Sequence, residues 1–183
     1  MQRDLVMAAR HGDHEAFEAL AVGAADRLYA IARLILRDVY LAQDAVQETL
    51  VRAWRQLPTL RDPERFDAWL RRLLVNACAD EGRQARRRSP EIHVVVEPSI
   101  DDDAGWVADR DLLERGFRRL RPEHRVALVL HFYVGLPASE VADTLGVPVG
   151  TAKSRIHYAT QALRAALDAD ERDAAVATNG RSA

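Results

Sequence analysis

Between Pro137 and Leu167 the chain leaves little choice of fold. Residues 137–146, PASEVADTLG, open on Pro137 and Ala138 and carry Glu140 in their first turn. Val141, Ala142 and Leu145 share one helical face, and Gly146 stands where a left-handed residue closes a helix. Val147 and Pro148 make the turn. Beyond it, Ala152, Ile156, Ala159, Leu163 and Leu167 recur at helical spacing as a single apolar stripe. The opposite face carries Thr151, Ser154, Tyr158 and Gln161, flanked by Lys153, Arg155 and His157. It lacks large aliphatic side chains and is rich in hydrogen-bond donors. This pattern predicts a helix-turn-helix. The second helix would seat its apolar side on a small bundle and offer its polar N-terminal half to a major groove. An ordinary amphipathic surface helix shares the stripe. It does not account for the short first helix, the tight turn and the donors in the first turns of the second helix.

Charge first argues against nucleic acid, because the formal net charge is −2. Its distribution argues the other way. Arg83, Arg86, Arg87 and Arg88 form one dense cluster, and Arg115, Arg118, Arg119, Arg121 and Arg125 form another. Acids gather in Asp101, Asp102, Asp103, Asp109 and Asp111. Local basic patches, rather than the total, set the electrostatic footprint on phosphates. No apolar run approaches the roughly 20 residues needed to cross a bilayer, and the N-terminus MQRDLVMAARHGD is no signal peptide. The expectation is a cytoplasmic chain with no membrane insertion. Cys78, the only cysteine, excludes an internal disulfide and a multi-cysteine zinc site, and its apolar neighbourhood makes it a small core residue.

Helical patterns fill the N-terminal half. Residues 2–11 read as a short helix broken by Gly12, and Asp13 is an N-cap for the next. There Phe17, Leu20, Ala21, Ala24, Leu28, Ile31, Ala32 and Ile35 form the stripe. A third helix spans about Tyr40 to Leu57, its stripe being Ala42, Ala45, Val46, Thr49, Leu50, Ala53, Trp54 and Leu57, and Pro58 stops it. Asp62 caps a fourth helix with Pro63 at its first position. This helix runs towards Arg88, with Phe66, Trp69, Leu70, Leu73, Leu74 and Ala77 inward; Gly82 is expected to weaken it or end it early. Residues 89–108 hold two prolines, a glycine and an acidic triplet and read as a linker. A strand at His93 to Val96 would lack a partner, and Asp101 to Asp103 would lack convergent carboxylates for magnesium. Helices near 107–120 and 122–134 precede the helix-turn-helix, with Pro122 at a helix start and Gly135 at a helix end. The tail 169–183 has no apolar stripe and is expected to fray. The fold class is therefore all-α, in two small helical domains.

Four stretches in order, HGDHEAFEAL, DAVQETLVRAW, FDAWLRRLLVNACADEGRQARRR and LGVPVGTAKSRIHYATQAL, resemble the extracytoplasmic-function group of the sigma-70 family, over residues 1 to about 167. These factors guide bacterial RNA polymerase to promoters. The resemblance implies sigma domain 2 at 1–88, a flexible linker at 89–108 and sigma domain 4 at 109–168. It implies that Asp44, Gln47, Glu48 and Arg52 dock on the clamp helices of the largest polymerase subunit, with the β flap as a further contact. The fourth helix would recognise and open the −10 element. Asn76 would read a non-template base there, the loop Leu60 to Arg65 would help hold an extruded base, and Arg71, Arg72, Arg83, Arg86, Arg87 and Arg88 would neutralise phosphates. Trp69 has the ring for base stacking, but its place on the apolar stripe favours the core. Lys153, Ser154, His157 and Tyr158 match the residues that read the −35 element, with Thr151 and Arg155 on phosphates. The family commonly has a basic residue where this chain has Tyr158, and tyrosine cannot fork onto guanine as arginine does, so a different −35 base is expected there. Anti-sigma factors are common partners in the family. No cofactor, metal or catalytic residue is implied.

Two other readings compete. A helix-turn-helix regulator acting on an operator without polymerase explains residues 107–167 but leaves the N-terminal domain without a task. A metal-dependent hydrolase built on His11, His14 and the aspartates lacks a glutamate base and a third ligand at any recognised spacing.

Overall fold

The computed structural model describes residues 1–88, 116–117 and 119–179. All regular structure among them is helical, and the chain divides into two compact units. The linker at 89–108, with His93 to Val96 and Asp101 to Asp103, lies outside the described residues, as does most of the helix expected at 107–120.

The N-terminal unit is built from α1 (Gln2–Arg10), α2 (His14–Leu36), α3 (Val39–Gln56) and α4 (Phe66–Arg88). Its punctuation follows the sequence closely. Gly12 adopts a φ of 95°, and the Asp13 carboxylate accepts from the Ala16 N–H at 3.0 Å, capping α2. Between α2 and α3 only Arg37 and Asp38 intervene. Arg37 takes the left-handed conformation that ends α2, and Asp38 caps α3 by accepting from the N–H groups of Tyr40 and Leu41 at 2.8 and 2.9 Å. Pro58 falls in a single 3-10 turn, Leu57–Thr59. Asp62 then caps a second 3-10 turn, Pro63–Arg65, which runs straight into α4.

Val6, Leu28, Ile31, Leu57, Leu70 and Leu74 are fully buried and fill the centre of this unit. Thr49 is buried among them, and its hydroxyl is satisfied by donating to the Ala45 carbonyl at 2.6 Å. The Trp54 ring closes the α2–α3 seam against Phe17 and His14, with ring centroids 5.0 and 4.5 Å away. Trp69, expected inward, is only half-buried, with its ring 5.9 Å from that of Phe66. Gly82 does not end α4, which continues to Arg88. One glycine weakens a helix but does not break one whose inner face is packed.

Later in the chain come α5 (Pro122–Leu128), α6 (Ala138–Leu145) and α7 (Val149–Asn179). Pro122 opens α5, where a missing N–H costs nothing. The helix expected to continue to residue 134 widens instead into a π turn, Val129–Tyr133, in which the Val134 N–H reaches the Val129 carbonyl at 3.0 Å. Gly135 follows with a φ of 81°. α6 closes as expected: Gly146 has a φ of 64°, and the Val147 N–H donates to the Ala142 carbonyl at 3.1 Å. α5 and α7 pack through Leu120, Leu128 and Ala159, with Phe117 and Leu163 against them. The backbone of α7 runs on past Asp168 as helix to Asn179. Lack of an apolar stripe removes a reason to pack, but alanine-rich chain keeps its helix propensity once a preceding helix has nucleated it.

Candidate nucleic-acid interface

α7 begins immediately after the turn, with the N–H groups of Thr151 and Ala152 donating to the Pro148 carbonyl. Ala152 and Ala159 are completely buried, and Ile156 and Leu163 are partly so. That fixes the rotation of the helix. Lys153, Ser154, His157 and Tyr158 all face outward, while Thr151 and Arg155 sit at the margin, half-buried. The six residues expected to meet the −35 element thus occupy one continuous side. The Ser154 hydroxyl donates to the Gly150 carbonyl at 3.0 Å, which leaves its oxygen lone pairs pointing away from the helix as acceptors. Tyr158 is 61% exposed, and its ring lies against two imidazoles, those of His124 and His157.

In the N-terminal unit α4 carries the other candidate surface. Leu70, Leu73, Leu74, Ala77 and Cys78 point inward, and Asn76 emerges exposed between them. Arg72, Arg83, Arg86, Arg87 and Arg88 are exposed, and Arg71 is half-buried. Two of these cations have partners in their own helix: Arg83 pairs with Asp80, and Arg86 donates from Nε to the Gly82 carbonyl at 3.0 Å. The Cys78 thiol is pushed up to about 12 by burial, which makes it an inert core group. The loop before α4 is held by Leu60, which is buried, while Arg61, Asp62, Glu64 and Arg65 are exposed.

On α3, Asp44 and Gln47 are exposed and Glu48 is partly so. Arg52 differs from them. Its guanidinium donates to Glu48 at 2.7 Å and to Asp80 of α4 at 2.9 Å, which raises its already high value further, Glu48 first. It ties α3 to α4 and holds Glu48 in place. Glu81 nearby is pushed up by burial first and then by the charge of Asp44. The docking face expected on α3 is therefore an acidic surface with one internally committed arginine. No group of three or more histidine, cysteine, aspartate or glutamate side chains among the described residues is arranged to hold a metal ion.

The model of Sigma-70 region 2 matches residues 23–88, and that of Sigma-70 region 4 matches residues 112–165. The chain belongs to the sigma-70 family. The first match spans most of α2 with α3 and α4, and the second spans α5, α6 and the first half of α7. The ECF RNA polymerase sigma factor SigL of Mycobacterium tuberculosis is 37% identical over 145 residues, covering 76% of this chain and 82% of the relative. The RNA polymerase sigma-E factor of Streptomyces avermitilis is 32% identical over 164 residues, covering 90% of this chain and 92% of the relative. Among solved structures, CnrH in complex with the cytosolic domain of CnrY superposes with a TM-score of 0.67 at 30% identity, covering 92% of this chain and 98% of that one. RpoE of Bartonella quintana, solved with the anti-sigma factor NepR, has the same fold, with a TM-score of 0.69 at 24% identity over 84% of this chain and 98% of that one. The chain is thus an RNA polymerase sigma factor of the extracytoplasmic-function group, and the operator-only regulator is not favoured.

Two residues of this sigma factor's surfaces escaped the sequence reading. Asp80 links Arg52 to Arg83, and His124 lies against Tyr158. Asp80 carried a signal, since it stands three residues before Arg83 on one helix. His124 carried none, because its relation to Tyr158 exists only once α5 has packed on α7.

Proposed function

We propose that this sigma factor binds core RNA polymerase in the cytoplasm through α3 and directs it to promoters, α4 reading the −10 element and α7 the −35 element. Asp44, Gln47 and Glu48 present the polar surface to the clamp helices, and the β flap engages the C-terminal unit. Arg52 acts there indirectly, by fixing Glu48. Asn76 reads an unstacked base, and Arg72, Arg86, Arg87 and Arg88, with Arg71 and Arg83 beside them, hold phosphates. Lys153, Ser154, His157 and Tyr158 read bases in the major groove, with Thr151 and Arg155 on the backbone. The protein contributes binding and positioning rather than a catalytic step of its own, with no cofactor. The observation that carries the reading is that each unit matching a sigma-70 region exposes the polar residues of that region while its apolar stripe is buried. An anti-sigma factor is a further partner in this reading, by analogy with the Bartonella RpoE, which was solved with the anti-sigma factor NepR.

Transcription reconstituted from core polymerase and the full chain tests this. Charge reversal at Asp44 together with Glu48 is expected to weaken core binding while helicity stays unchanged. Asn76→Ala is expected to reduce open-complex formation in a manner that depends on the −10 sequence. Undiminished core affinity in the charge-reversed variant would remove α3 as the docking face.

A further inference from the structure

The inference rests on α7 being the −35 helix and concerns how one of its readers is held. Tyr158 stands on the outward face, where an exposed phenol ordinarily samples several rotamers and so reads a base edge poorly. Here the ring is confined on two sides. The His124 imidazole, from the first turn of α5, lies nearly parallel to it, with centroids 6.2 Å apart and planes 25° apart. The His157 imidazole meets it edge-on at 5.8 Å and 68°. Both arrangements fall within the geometry that aromatic pairs prefer.

His124 is itself anchored. Its backbone N–H donates to the Arg121 carbonyl at 3.0 Å, and Leu128 of α5 packs with Leu120 against Ala159 of α7. The stack therefore transmits the packing of the core to the reading face. We infer that His124 is a positioning residue for promoter recognition: it orients the Tyr158 phenol so that it meets a single base pair of the −35 element, without reading a base itself. A phenol so held offers one hydroxyl and an apolar ring edge, chemistry that suits a thymine methyl or a single acceptor.

The test measures binding of the full chain with core polymerase across a −35 library at one salt concentration, and then the salt dependence on one site. Tyr158→Ala is expected to flatten preference at one −35 position. His124→Ala is expected to lower preference at that same position by about threefold, the scale of one aromatic pair, with other positions and the salt slope unchanged. His124→Phe keeps a stacking ring and is expected to restore the preference. The double variant is expected to behave as Tyr158→Ala alone, because the two residues act as one unit. Equal weakening on every sequence with a shallower salt slope in His124→Ala would make His124 a phosphate contact and overturn the proposal. So would an unchanged preference in His124→Ala while Tyr158→Ala alters it. If Tyr158→Ala changes no position but Lys153→Ala does, the positioning role falls and the −35 reading stands. If neither changes any position, the −35 reading falls as well.

Discussion

Arg52 shows what a side chain's partners do to its assignment. On helical spacing alone it belongs with Asp44, Gln47 and Glu48 on an outward face, yet its guanidinium is turned back to Glu48 and Asp80. Beside it, Glu81 has its carboxyl held above the usual range by burial and by Asp44. A carboxyl raised on folding binds more protons in the native state, so stability falls as pH climbs from the ordinary carboxylate range through the raised folded value. Glu81→Gln is therefore expected to raise the melting temperature at neutral pH and to lose that advantage in acid, where the wild-type carboxyl is already neutral; melting curves at the two pH values decide it. Tyr158 makes the other residue-scale prediction. Tyr158→Arg supplies the bidentate donor that a phenol lacks, and preference at one −35 position is expected to shift towards guanine by ~1–3 kcal/mol. A library selection in which no position changes would rotate the reading face away from Tyr158.

At the scale of elements, α2, α3 and the turn leading into α4 start where a carboxylate accepts N–H groups, and α2 and α6 stop on a left-handed residue. Asp13, Asp38 and Asp62 supply the first condition, and Gly146 and Arg37 the second. α4 keeps Gly82 well inside it, as α2 keeps Gly23. A Cβ at Gly82 would meet Leu36 Cδ2 at 3.7 Å and Arg86 Nη2 at 3.9 Å, which are ordinary contacts. Gly82→Ala is accordingly expected to stabilise the N-terminal unit by ~1 kcal/mol, the helix-propensity difference. Urea unfolding of the full chain, followed by tryptophan fluorescence with Trp106 replaced by Phe in both proteins so that Trp54 and Trp69 report, reads it. A loss of stability would mean that the added methyl disturbs the α2–α4 packing.

For the whole molecule, the net charge of −2 is a poor guide to DNA binding, because it averages over an arginine-dense stretch at the end of α4 and an acid-rich stretch at 101–111. Arg87 and Arg88 are exposed at the end of α4. Replacing both by Gln is expected to reduce the slope of log affinity against log salt by about two, alike on all sequences. A loss that varies with promoter sequence would instead mark them as base readers.

Sequence periodicity determined the helical class, the two-domain plan and the faces of α4 and α7, because burying an apolar stripe leaves one rotation for each helix. Asp13 and Gly146 were legible for the same local reason: caps and left-handed turns involve atoms a few residues apart. Local pattern was insufficient where distant residues meet. It missed the α3–α4 bridge through Arg52 and Asp80, the widening of the helix at Val129–Tyr133, and the stack of His124 on Tyr158. What the tertiary structure decided is which polar groups are already committed to one another and which remain to meet a partner, and that depends on distances no periodicity contains.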